Sequence, residues 1–152
     1  MEQPTETITN EEKTFALLSH LSVLIGGIIL PIIIWATQKE KSKFVQFHSL
    51  QSIFFHISYA VILAVLIVAV VLFFLAFGVG FGMVATHGHN QPATLPIFII
   101  IITVAIYAGI LLTVLGVIGY SIYLAIKSYK GLYIKVPIIG NIIYKKIFGE
   151  TP

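Results

Sequence analysis

The chain has 152 residues, 58% hydrophobic and 10% charged, with a mean hydropathy of +1.01 and a formal net charge of +3. A soluble domain carries about 25% charged residues, so there is too little charge here to cover a surface against water, and lipid must solvate most of the chain. Cys is absent, which excludes disulfides and thiolate metal sites, and there is no Asp or Arg.

The placement of charge says more than its amount. Residues 44–126, 83 in all, contain no Asp, Glu, Lys or Arg, whereas one bilayer crossing takes about 20 residues. A second uncharged run covers 14–38. In lipid each backbone N–H and C=O must be satisfied within its own segment, so these runs read as helices. They lack the polar and apolar alternation of a membrane barrel. The fold expected is all-α, an integral membrane helical bundle of about three transmembrane helices with a C-terminal amphipathic interfacial helix.

Residues 1–13 form a polar, acidic N-terminal tail. With Glu2, Glu6, Glu11 and Glu12 ahead of the first apolar run, this start does not read as a signal peptide. Thr9 or Asn10 is placed to cap a helix whose first turn carries Glu11 and Glu12, where negative charge suits the helix dipole. The transmembrane domain is expected over 14–128, with spans at about 15–37, 53–77 and 96–126. Gly26, Gly27 and Pro31 interrupt the first of these. One kinked span is the working expectation, and a re-entrant hairpin turning at Gly26 and Gly27 is the other reading. Trp35 suits the interface at its end.

Lys39, Lys41 and Lys43 follow, against Glu40. A single helix over 44–83 would measure about 60 Å, twice the hydrocarbon thickness. We therefore place 44–52 at the interface, with a break at Gly78, Gly80 and Gly82. Residues 84–94 read as a loop, with Gly88, Asn90 and Pro92 as turn formers, before the third span. The basic segment over 129–152 follows Lys127 and contains Lys130, Lys135, Lys145 and Lys146. There Ile139, Ile142, Ile143 and Ile147 share one helical face, which suits a helix on an anionic leaflet or one folded back on the protein's own spans. Both lysine-rich segments belong on the cytoplasmic side of a bacterial inner membrane by the positive-inside rule, which puts the N-terminus and the His87 and His89 loop outside.

The richest local feature is 44–59, FVQFHSLQSIFFHISY. On a helix, Ser52, His56, Tyr59 and Gln51 lie at about 40°, 80°, 20° and −60° from His48. With His20 on the first segment they make a polar intramembrane stripe, and such a stripe faces protein or water. It either lines a cavity or a partner site, or bonds neighbouring helices through Ser19, His20 and Ser22. Lys39, Lys41, Lys43, Lys127, Lys130, Lys145 and Lys146 are candidate contacts for lipid headgroups or a partner. Gly109, Gly116 and Gly119 permit close helix approach, within the bundle or between copies. His87 and His89 are too few for a dedicated metal site, so no metal is assigned.

No carboxylate lies within the apolar runs, no nucleophile, base and orienter set is visible, and FGVGFGM is not a phosphate loop. The chain is therefore read as no enzyme, with no cofactor and no nucleic-acid partner. Its partners are the lipid bilayer, other membrane proteins or further copies of itself.

KEKSKFVQFHSLQSIFF over 39–55 resembles the signature of a family of small bacterial membrane proteins classed as a domain of unknown function. AIKSYKGLYIKVPIIGNII over 125–143 is similar to that family's end, and FALLSHLSVLIGGIILPIIIW over 15–35 resembles its first span. Residues 78–94 look like an insertion. Gln46 departs from the Arg common there, so no role for a cation is carried to that position. The family is distantly similar to the Tic-twenty-like component of the chloroplast inner-envelope import translocon. That resemblance implies a helical membrane protein associated with a transport complex, usually of four spans with both termini on one side. The role expected is a structural or accessory one in the membrane, through helix contacts. The alternative is a subunit of an oligomeric channel, transporter or translocation complex.

Overall fold

The computed structural model describes residues 7–87 and 94–149, with side chains described for 7–78 and 97–149. Five helices follow in chain order: α1 (Asn10–Ile25), α2 (Ile29–Gln38), α3 (Lys43–His87), α4 (Thr94–Tyr129) and α5 (Ile139–Phe148). No strand occurs among the described residues.

Thr9 caps α1 in a capping box. Its hydroxyl accepts from Glu12 N–H at 3.2 Å, and Glu12 Oε2 accepts from Thr9 N–H at 2.7 Å. At the other end, Gly26 N–H and Gly27 N–H both bond to Ser22 O, and Gly27 has φ +55°, a conformation that glycine adopts without steric cost. The chain then turns back. Ala16 and Ile34 meet in one buried cluster with Phe44 and Val45, and α1 packs on α2. On one continuous helix Ala16 and Ile34 would stand about 27 Å apart. Residues 15–37 are thus a helical hairpin, not one kinked span. Pro31 lies in the first turn of α2, where its missing N–H has no intrahelical partner to lose, so it starts a helix where a kink was expected.

A tight turn carries Lys39 to Ser42, whose hydroxyl accepts from Val45 N–H at 3.2 Å and caps α3. α3 runs unbroken past Gly78, Gly80 and Gly82 to His87, so the expected break is absent. A glycine costs a helix only about 1 kcal/mol, and lipid offers its backbone no alternative partner. Of the loop expected over 84–94, residues 84–87 belong to α3 and Thr94 to α4, and residues 88–93 lie outside the described residues. Two helical stretches, Lys43–Gly78 and Ile97–Tyr129, are long and apolar enough to cross a membrane. The third span expected at 15–37 is replaced by the hairpin, whose two ends lie together.

α4 ends in a Schellman motif: Leu132 N–H bonds Lys127 O at 3.3 Å and Gly131 N–H bonds Ser128 O at 2.9 Å, with Gly131 at φ +76°. Residues 132–136 are neither helix nor strand, and Ile134 N–H bonds Leu132 O at 3.0 Å in a three-residue turn. Then Ile138, at φ 67° and ψ −63°, makes a three-residue turn closed by Ile139 N–H to Pro137 O at 2.8 Å. α5 follows.

The chain forms two compact units, residues 1–59 with 117–152, and residues 60–116. The C-terminal segment falls in the first unit together with the hairpin. All charged residues of the sequence belong to the first unit and none to the second. In the first unit, Ser19, His20, Ser22, His48, Ser49, Gln51, Ser52, Ser121 and Ser128 are buried, whereas Leu24, Ile25, Ile29 and Ile33 are exposed. Polar groups inside and large aliphatic groups outside are the reverse of a water-soluble protein. In the second unit α3 and α4 line an apolar groove of about 420 Å³ between Leu66, Ala69, Val70 and Phe73 on one side and Ile106, Gly109, Ile110 and Thr113 on the other.

Candidate functional site

The polar stripe of α3 is the centre of the first unit. His48 and Gln51 are 0% exposed, Ser52 1% and His20 2%. His20 Nε2 lies 3.1 Å from His48 Nδ1, and His48 Nε2 lies 3.1 Å from Leu132 O. The carbonyl can only accept, so His48 Nε2 carries the hydrogen. In a neutral ring Nδ1 then accepts, and His20 Nε2 must donate to it. The result is a directed chain from α1 through α3 to the turn after α4.

Gln51 is a clamp on the segment 134–136. Its Nε2 donates to Ile134 O at 2.9 Å and its Oε1 accepts from Val136 N–H at 2.6 Å. One side-chain amide thus stands in for a neighbouring β-strand, satisfying a carbonyl and an N–H two residues apart. Gly140 makes this possible: a Cβ there would stand 2.8 Å from Gln51 Oε1 and 2.7 Å from Lys135 Cα. Ser52 donates to Ser19 O. His56 Nδ1 donates to Ser52 O at 2.7 Å, leaving Nε2 to face Ser22 Oγ at 3.5 Å. Tyr59 is half-buried one turn further on. The stripe therefore meets α1 and residues 132–136, which bury His20, His48, Gln51 and Ser52.

Around His48 lies an aromatic cage. Phe44 and Phe47 contact His48 edge-on at 4.6 and 5.1 Å, and both contact Tyr133. Tyr133 in turn meets Tyr144 and Phe148 of α5. α5 is folded against the protein by Gly140, Ile143, Tyr144, Ile147 and Phe148, which are buried or half-buried. Ile142, expected on that face, is 64% exposed, because the aromatic contacts rotate the helix so that Tyr144 and Phe148 point inward.

Lys39, Lys41, Lys43, Lys130, Lys145 and Lys146 are exposed and Lys127 is half-buried. Three of these lie over rings: Lys39 over Trp35, Lys43 over Phe148 and Lys127 over Tyr123, at 5.1 to 5.7 Å. Lys135 lies 4.0 Å over Tyr144, and its burial there holds its ammonium below the usual value. Burial acts to raise the Glu12 carboxyl, but hydrogen bonds from Ser42 and Thr9 outweigh it and hold the group below its ordinary range. A polar cleft beside them is lined by Thr9, Glu12, Lys39, Glu40, Lys41 and Lys43. No cluster of three metal-ligating side chains occurs among the described residues. Gly109, Gly116 and Gly119 are exposed, and among the described residues a Cβ on any of them would meet nothing within 4 Å.

The backbone partners Leu132, Ile134 and Val136, and the requirement for Gly140, were not visible in the sequence. The only signal was the Gly of VPIIG, at a fixed distance behind the last span. No curated protein and no solved structure matches the chain. A family model does match, over residues 11–143, which includes both the hairpin and the segment clamped by Gln51. The chain therefore belongs to the magnetosome magnetite crystal formation protein family (MamF/MmsF).

Proposed function

We propose that this chain is a structural, non-catalytic membrane component of magnetosome magnetite crystal formation, crossing the membrane through α3 and α4. One observation carries the reading. The side chains that could do chemistry are engaged within the chain: His20, His48, Gln51 and Ser52 each bond another element, and His56 bonds Ser52 O on its own helix. They are used to dock the hairpin and the C-terminal segment. The channel or translocon-like alternative needs a lumen lined by this stripe, and α1 and residues 132–136 already cover it. The lysine-bearing segments are placed on the cytoplasmic side, and the N-terminus joins them there because the hairpin returns.

Two experiments test this. The chain has no native Cys, so single cysteines at Thr5, Lys41, Thr86 and Thr151 report sidedness to an impermeant thiol reagent. Position 86 alone should label from the face opposite the other three; labelling of 5 and 41 from opposite faces would refute the hairpin topology. In a magnetite-forming bacterium lacking this gene, crystal size under the electron microscope should be restored by the wild-type chain. Variants at His48 or Gln51 should fail only in proportion to their loss of hydrogen-exchange protection over 132–148. Altered crystals from His48→Asn with that protection intact would mean that the histidine acts chemically.

A further inference from the structure

The hairpin has a closed end that no part of its own unit covers. Leu24, Ile25 and Ile29 there are 52%, 75% and 66% exposed, and Gly26 N–H and Gly27 N–H both bond Ser22 O. Its charges sit at the open end, with Glu11, Glu12 and Lys13 starting α1 and Lys39, Glu40 and Lys41 following α2. The apolar stretches between, 15–25 and 29–36, measure about 16 and 12 Å. Half of a bilayer's hydrocarbon core is about 15 Å. A hairpin of that depth, apolar on its outside and apolar at its tip, fits one leaflet and no more.

We propose that the α1–α2 hairpin is a one-leaflet wedge. Its partner is the acyl chains of the leaflet whose headgroups face the Lys39, Lys41 and Lys43 turn, and it favours a bilayer that is convex on that side. This rests on the reading that α3 and α4 cross the membrane. Area added to one leaflet and not to the other is relieved by bending. α5 adds to the same leaflet. Lys43 Nζ lies 5.7 Å over the Phe148 ring, which puts α5 at the hairpin's open end. There Ile138 and Ile142 are 78% and 64% exposed beside Lys145 and Lys146, a pattern suited to insertion at headgroup depth in an anionic leaflet. Ile138 is held outward in a strained positive-φ conformation.

The test uses the full chain in giant vesicles of phosphatidylcholine with phosphatidylglycerol, from which narrow membrane tubes are pulled outward. A Lys41→Cys chain, labelled from outside or from inside with an impermeant dye, marks the two orientations. Chains with the turn outward should be enriched in the tube over the flat membrane, and those with it inward should be depleted. A triple variant, Leu24→Asn, Ile25→Asn and Ile29→Asn, should bring both ratios closer to one, leaving only the part that α5 contributes. Equal sorting of the two orientations, or no sorting, overturns the wedge. Should the triple variant fail to fold, Ile25→Cys labelled with bimane gives a second readout. Lipids brominated near the acyl terminus should quench it most strongly, and quenching by an aqueous reagent would overturn the proposal. Labelling of Lys41→Cys and Thr86→Cys from the same face would instead overturn the two-span reading beneath it.

Discussion

Gln51→Leu removes the clamp on residues 134–136 while nearly keeping the volume of the side chain. Gln51 is 0% and Val136 5% exposed, so Val136 N–H would lose its partner in a buried place and Ile134 C=O in a half-buried one. Each buried group left unsatisfied costs about 1–3 kcal/mol. Local relaxation favours the lower part of that range, giving about 2–4 kcal/mol for the pair, and the segment closes onto α3 through few other polar contacts. In hydrogen-exchange terms that is roughly 30- to 1000-fold faster opening. The assay is amide exchange on the chain in lipid nanodiscs, read at Val136 and across α5. Faster exchange should be confined to 132–148, with the amides of α1 unchanged. Unchanged exchange at Val136, or an equal loss in α1, would refute the clamp as a local device.

Gly140→Ala drives a Cβ to 2.7 Å from Lys135 Cα and Cβ; overpacking of this kind costs about 1–3 kcal/mol, and limited proteolysis should show α5 released. Alanine at Gly109, Gly116 or Gly119, by contrast, meets open space and should raise thermal stability of the monomer through helix propensity, so a fall would mean those faces contact another chain. Ile138→Gly relieves a positive φ and should raise the unfolding midpoint by the equivalent of about 1 kcal/mol; a lowered midpoint would show that the isoleucine side chain matters more than the strain. The carboxyl of Glu12 is held below its ordinary 4.5, so it contributes stability above that pH, lost as the medium is acidified through its depressed folded value. Exchange of the first-turn amides of α1 should therefore quicken in that acid window, and Glu12→Gln should abolish the pH dependence.

The membrane character of this chain was legible because charge in lipid is expensive, so the empty interval from 44 to 126 could mean little else. The capping role of Thr9 and the polar stripe on one face of 44–59 were also readable from local rules. The hairpin was not decided by those rules. A proline in an apolar run either kinks a helix or begins one, and which it does here depends on Gly27 adopting φ +55° four residues earlier. The partners of the stripe escaped for another reason. His48 and Gln51 bond main-chain groups at Leu132, Ile134 and Val136, and a backbone carbonyl is present at each position, so no residue type announces it. Helical periodicity grouped Ile142 with Ile139, Ile143 and Ile147 because it counted aliphatic residues alone, whereas Tyr144 and Phe148 supply the larger inward surface.

Why the polar groups should be inside at all follows from the solvent. Between helices in lipid there is no hydrophobic driving force, since acyl chains are as apolar as leucine. Apolar contact then cannot select one docking geometry over another with much force, and directional bonds must. The hairpin depends on His20 to His48, on Ser52 to Ser19 O, and on the longer Ser22 contact to His56. At about 0.6 kcal/mol for a typical interhelical side-chain bond, these supply only a modest hold. The C-terminal segment has the two bonds of Gln51, the His48 bond to Leu132 and an aromatic cage closed by Tyr133, Tyr144 and Phe148. The C-terminal cap is thus the firmer of the two attachments to α3. The hairpin, whose outer surface lipid solvates in either position, is the part that a change in leaflet packing would displace first.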